Sequence, residues 1–130
     1  MTTVETVPKL RVPSFGDAWK EVKMENITTK VSDGIHSTPK YDEKGDFFFI
    51  NGNNLISGKI RIDEKTKRVS SKEYKKHKRP ISENTILLSI NGTIGNLAFY
   101  NDERVILGKS ACYININAEV VDKYFIYNYL

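Results

Sequence analysis

Residues 86–100 read ILLSINGTIGNLAFY, two apolar runs separated by a turn. Ile86, Leu87, Leu88 and Ile90 have the short, continuous apolar character of a buried strand. Asn91-Gly92 between such runs is the strongest short-range hairpin signal, because the turn needs positive φ and both residues tolerate it. The same punctuation repeats outward along the chain. Asn101-Asp102 makes the next turn, and residues 105–107 and 110–116 (SACYINI) read as further strands. Upstream, Lys44-Gly45-Asp46 turns into the strand-like run Phe47-Phe48-Phe49-Ile50, which Asn51-Gly52-Asn53-Asn54 breaks. Residues 55–62 alternate Ile56, Ile60 and Ile62 with Ser57, Lys59 and Arg61, the pattern of one strand with a positively charged polar face. Asp122 is placed to cap a last helix over residues 123–130. Short strands, regular turns and few helices predict an α+β fold. The chain should form a single domain of several short, mostly antiparallel strands with hairpins and few short helices.

Between these strands lies KIRIDEKTKRVSSKEYKKHKR, residues 59–79. It holds ten Lys/Arg against three acids, a net +7 in a chain whose formal charge is +4, so the remainder carries −3. Such concentration is the electrostatic footprint of a polyanion binder. Ser70-Ser71-Lys72-Glu73 contains the S-x-x-E capping box, in which the serine hydroxyl and the glutamate satisfy the orphan N–H groups of a helix start. Pro80 stops what begins there. A helix over residues 71–79 would set Lys72, Lys75, Lys76 and Arg79 on one face and turn Tyr74 to the core.

Several chemistries are absent from the sequence. There is no phosphate-binding G-x-x-x-x-G-K-[ST] loop and no H-E-x-x-H. One cysteine and two distant histidines, His36 and His77, make no zinc set. No carboxylate pair has a spacing that suggests acid–base catalysis, so the chain is read as having no catalytic centre and no cofactor. Cys112 sits inside an alternating apolar run and is expected to be a buried strand residue. No run approaches a membrane span and no secretory signal is visible, and a single cysteine, which can form no internal disulfide, fits a reducing cytoplasm. Gly92-Thr93-Ile94-Gly95 spells the G-x-x-G of KH domains, but that loop joins helices and here strands flank it.

Residues 1–16 are expected to form an N-terminal arm and residues 17–130 the domain. Trp19, the single tryptophan, is expected to anchor the core. Residues 31–41 (VSDGIHSTPKY) are turn-rich and offer His36, Lys40 and Tyr41 to a ligand.

These features occur in a familiar order. D-G-x-H-x-T-P-x-Y over residues 33–41 precedes the strand at 45–50, then I-S-G-K-I at 56–60 and V-S-x-x-x-Y at 69–74. A strand ending in S-x-x-G-T-I-G at 89–95 and the run at 110–116 complete the series, and PKLRVP at 8–13 with Phe15 and Trp19 opens it. The chain thereby resembles a target recognition domain of the specificity subunit of type I restriction-modification systems. The resemblance implies sequence-specific recognition of one half of a split double-stranded DNA target. It also implies docking to a methyltransferase, which uses S-adenosylmethionine, and to a motor nuclease. Such a subunit has no activity of its own. Full specificity subunits carry two recognition domains separated by long helices, and neither a second domain nor a spacer helix is read here.

The candidate DNA contacts are His36, Lys40, Tyr41, Asn54, Lys59, Arg61, Lys65, Lys67, Arg68, Lys72, Lys75, Lys76, Arg79, Asn91 and Thr93. Lysines suit phosphate positioning. Arg61, Arg68, Arg79, Asn54 and Asn91 have the planar groups that read base edges in pairs. The alternative is a free-standing relative, from a phage or mobile element, that binds a nuclease or its guide ribonucleoprotein and inhibits it.

Overall fold

The computed structural model describes residues 5, 6, 9 and 17–130. Its elements are β1 (Glu5–Thr6), β2 (Trp19–Lys20), β3 (Thr28–Ser32), β4 (Phe47–Ile50), β5 (Leu55–Ile56), β6 (Lys59–Ile60) and β7 (Lys67–Val69), then α1 (Ser71–His77). After α1 come β8 (Thr85–Ser89), β9 (Leu97–Phe99), β10 (Val105–Leu107), β11 (Ala111–Ile116) and α2 (Lys123–Tyr129). The fold is α+β, as expected. Two small sheets carry it, an antiparallel one in the order β3-β11-β8-β9 and a mixed one in the order β10-β4-β7. In the second, β4 pairs parallel with β10 and antiparallel with β7.

The unbroken apolar character of β8 follows from burial on both faces. Leu87 of β8 and Ala111 and Tyr113 of β11 pack with Ile50, Leu55, Ile60, Val105 and Leu107 between the two sheets. Ile86, Cys112, Ile114 and Ile116 point the other way and pack with Ile126 of α2 and Ile27. The mixed sheet is also covered twice, because Ile106, Phe47 and Phe49 face Tyr74 of α1. The Phe47 and Tyr74 rings stack at 4.1 Å with planes 14° apart. The order of layers is therefore α1, mixed sheet, central core, antiparallel sheet, α2. Asp122 caps α2 by accepting the Tyr124 and Phe125 N–H groups at 2.8 and 3.3 Å. Cys112 is a buried strand residue, and burial raises its thiol pKa.

The structure corrects four sequence expectations. Residues 55–62 are not one strand. Ser57 (φ 52°) and Gly58 (φ 82°) form a two-residue turn between β5 and β6, with Leu55 opposite Ile60. Positive φ at both central positions is the type I′ requirement. Asn91-Gly92 does lie in the β8–β9 hairpin, but within a longer connection, residues 90–96, closed by the Ser89 N–H on Asn96 O at 2.9 Å. Trp19 is 56% exposed, meeting Phe125 edge-on at 6.4 Å. It lies on a two-residue ribbon beside the sandwich, β2 paired with β1, so no core position is open to it. Finally, α1 ends at His77, where Lys78 turns extended (ψ 143°), so Arg79 leaves the helical face. Of the expected arm, only residues 5, 6 and 9 are described; the PKLRVP motif and Phe15 lie, apart from Lys9, outside the described residues.

Gly58 also lies under α2: a Cβ there would stand 2.9 Å from Tyr127 Oη, at a φ that L-residues disfavour. Gly58→Ala should lower stability by about 1–3 kcal/mol. Urea unfolding should show this as a lower midpoint at unchanged slope.

Candidate nucleic-acid interface

The basic run does not form one stripe. It folds into β6, a turn, β7 and α1, and the residues from Arg61 onward border two neighbouring concavities. Asp63 builds the turn: its Oδ1 accepts the Lys65 N–H at 2.9 Å, and its own N–H donates to Thr66 Oγ1 at 3.0 Å. This is the carboxylate-closed turn that Asp favours. It presents Lys65 and Lys67 to a cleft of about 290 Å³ lined also by Tyr41, Phe49, Asn51, Asn53, Asn54 and Arg61. Three cations face one acid there, Asp63, which lies 4.0 Å from Arg61 Nε. Lys67 Nζ stands 5.6 Å over the Tyr41 ring, and Tyr41 leans on Phe49 at 6.3 Å.

The second concavity, about 850 Å³, runs between residues 40–44 and α1. Lys40, Lys44, Lys72 and Lys76 line it together with Asp42, Glu43 and Glu73, and Tyr41 belongs to both walls. Ser70 caps α1 as expected, accepting the Glu73 N–H at 3.2 Å. The other half of the capping box is diverted. Glu73 Oε2 accepts the Lys40 N–H at 2.9 Å, thirty-three residues away, and lies 3.3 Å from His77 Nε2. The Lys40 bond, with lesser help from His77 and Lys76 and against partial burial, holds the Glu73 carboxyl below its ordinary 4.5. Glu73 thus ties the 33–44 loop to the basic helix. Ile35 and Pro39, both buried, anchor the same loop from below.

The structure brings Tyr41, Asn54, Arg61, Lys65 and Lys67 to the cleft and Lys40, Tyr41, Lys72 and Lys76 to the groove. Lys75 is exposed on α1 outside the groove lining, and Lys59 is exposed on β6. Asn91 and Thr93 are exposed in the 90–96 connection and line neither concavity. His36 is pinned, its Nε2 2.6 Å from Asp33 Oδ2. Arg68 is occupied: its guanidinium stands 4.8 Å over Phe48 and donates to Gly45 O at 3.3 Å. Arg79 is half-buried, and its Nε is enclosed without a hydrogen-bond partner among the described residues. Sequence reading passed over Glu73 as a long-range tie and Asn53 as a cleft residue. Only a contact map could have joined Glu73 to Lys40.

Among the described residues, no group of three or more His, Cys, Asp or Glu is placed to hold a metal ion, and no helix is long and apolar enough to cross a membrane. A family model for the type I restriction modification DNA specificity domain matches residues 16–130. No curated protein matches the chain.

Because the folded Glu73 carboxyl has a lowered pKa, its bond to Lys40 is complete above about pH 4.5 and is lost as the pH falls through the depressed value. The Lys40 amide should therefore stay protected from hydrogen exchange at pH 4.5 and lose protection only at lower pH. In Glu73→Ala it should exchange freely throughout, measured by NMR; unchanged protection would remove the tie.

Proposed function

Because the chain belongs to the type I restriction modification DNA specificity domain family, we propose that it recognises double-stranded DNA sequence-specifically as part of a type I specificity subunit. In this reading the domain selects a half-site. The methyltransferase and motor-nuclease subunits of a restriction complex are its protein partners and supply the catalysis. The observation that carries the reading is the pairing of two concavities around Tyr41, each bordered by lysines of one basic segment. A duplex needs both kinds of contact such a surface offers. Flexible ammonium groups neutralise phosphates and set the register, while planar groups read base edges.

Lys72 and Lys76, on the groove side of α1, and Lys75 beside them are the phosphate contacts. Lys65 and Lys67 extend this contact along the cleft, where Arg61 is the cation with a guanidinium fork for a guanine edge. Tyr41 forms the ridge between them. Arg68 and Arg79 contribute to the shape of the surface, since the first is stacked and bonded and the second is partly enclosed.

Random-sequence duplex DNA should bind the chain with a Kd of roughly 10⁻⁴–10⁻⁶ M at physiological salt, weakening steeply as salt rises. Lys72→Glu/Lys75→Glu/Lys76→Glu should abolish that binding. Removing the same three charges as alanines should lower the slope of log K against log salt by about 3. Absence of duplex binding even at low salt would overturn the reading.

A further inference from the structure

Asn51, Asn53 and Asn54 form one wall of the cleft, and the fold engages the side chains of the first and the last in hydrogen bonds. The Asn51 main-chain O accepts the Asn54 N–H at 3.0 Å, and its side-chain Oδ1 accepts from Ser110 Oγ at 3.1 Å. Asn54 returns the bond: its Oδ1 accepts the Asn51 N–H at 2.9 Å, and its Nδ2 donates to Arg61 O at 3.0 Å. Gly52 donates its N–H to Ser110 Oγ at 2.8 Å. It must be glycine, because a Cβ would come within 2.8 Å of Ser89 Cβ and 2.9 Å of Ser110 O.

Asn53, the middle residue of this short 3₁₀ turn, is different. It is exposed, it lines the cleft, and its carboxamide has no partner among the described residues. The backbone beneath this free polar group is clamped at both ends, so a ligand has only the short side chain to order. Its neighbours in the cleft, Lys65 and Lys67, would bring a phosphate backbone to the same place. A carboxamide offers one donor and one acceptor in a plane. In the major groove that pattern matches adenine, which presents N7 as acceptor and N6–H₂ as donor.

We propose that Asn53 is a specificity-determining residue that reads an adenine, Nδ2 donating to N7 and Oδ1 accepting from N6. The proposal rests on the DNA-recognition reading above. Asn54, whose amide already holds the turn and Arg61, is a positioning residue. Asn91 is the poorer candidate, because its Oδ1 already accepts the Gly92 N–H at 2.9 Å and it lies outside the cleft.

The test is selection of preferred sites from a randomised duplex library by the full chain, followed by base-analogue substitution. The selected site should contain one A·T position at which 7-deazaadenine, which lacks the N7 acceptor, weakens binding by about tenfold to hundredfold. Asn53→Ala should lose a similar factor on the unmodified site, become indifferent to the analogue, and keep its salt dependence. Its thermal unfolding should match that of the parent, since the side chain has no partner to lose. A site with no analogue-sensitive adenine, or an Asn53→Ala selection profile identical to the parent's, would overturn the role of Asn53 and leave DNA recognition standing. A parent chain that selects no sequence at all would overturn the DNA reading and this inference with it.

Discussion

Burial of the β8–β11 pair on both faces is the constraint on which the rest of the molecule depends. One face of the pair meets the mixed sheet and the other meets α2 and Ile27. Strands enclosed this way have no polar face to offer a ligand, so polar surface is left to the connections, the edge strand β7 and the outer helices. The mixed sheet repeats the solution with α1 as its cover. The charged residues of the 59–79 segment are thereby displaced to one margin of the molecule, where a turn, β7 and α1 follow one another around Tyr41.

Within that margin the acids serve a different purpose from the bases. Asp63 closes a turn and Glu73 holds a distant loop, while the lysines around them remain extended to solvent. An electrostatic surface of flexible side chains gains precision when a few carboxylates fix the backbone beneath it. The asparagine turn works similarly without charge. Asn51 and Asn54 bond to each other and to residues 110 and 61, so the end of β4, the start of β11 and the segment after β6 share one hydrogen-bonded corner.

The parts legible in the sequence were those decided by local chemistry. The apolar runs of β4, β8 and β11, the caps at Ser70 and Asp122 and the basic character of α1 all follow from neighbouring residues. The errors arose where distant contacts decide. Ile56, Ile60 and Ile62 alternate as a strand should, but Ser57-Gly58 reverses the chain between them. The Ser-Gly pair carried that signal and the alternation obscured it. Glu73 read as half of a capping box because the Lys40 amide, far away in sequence, was not in view. Three asparagines within four residues look equivalent on paper, and only the hydrogen-bond pattern separates two structural side chains from a free one. Trp19 was assigned to the interior because large aromatics usually reside there, yet both sheets are filled without it.

The placement of Trp19 has a practical consequence for spectroscopy. The only indole of the chain sits on the β1–β2 ribbon with an edge against Phe125 of α2. Its emission will therefore track the docking of that ribbon on the last helix, and the polarity there, rather than melting of the central core. Tyr113, which is 1% exposed between the two sheets, is the chromophore whose surroundings change when the core itself comes apart.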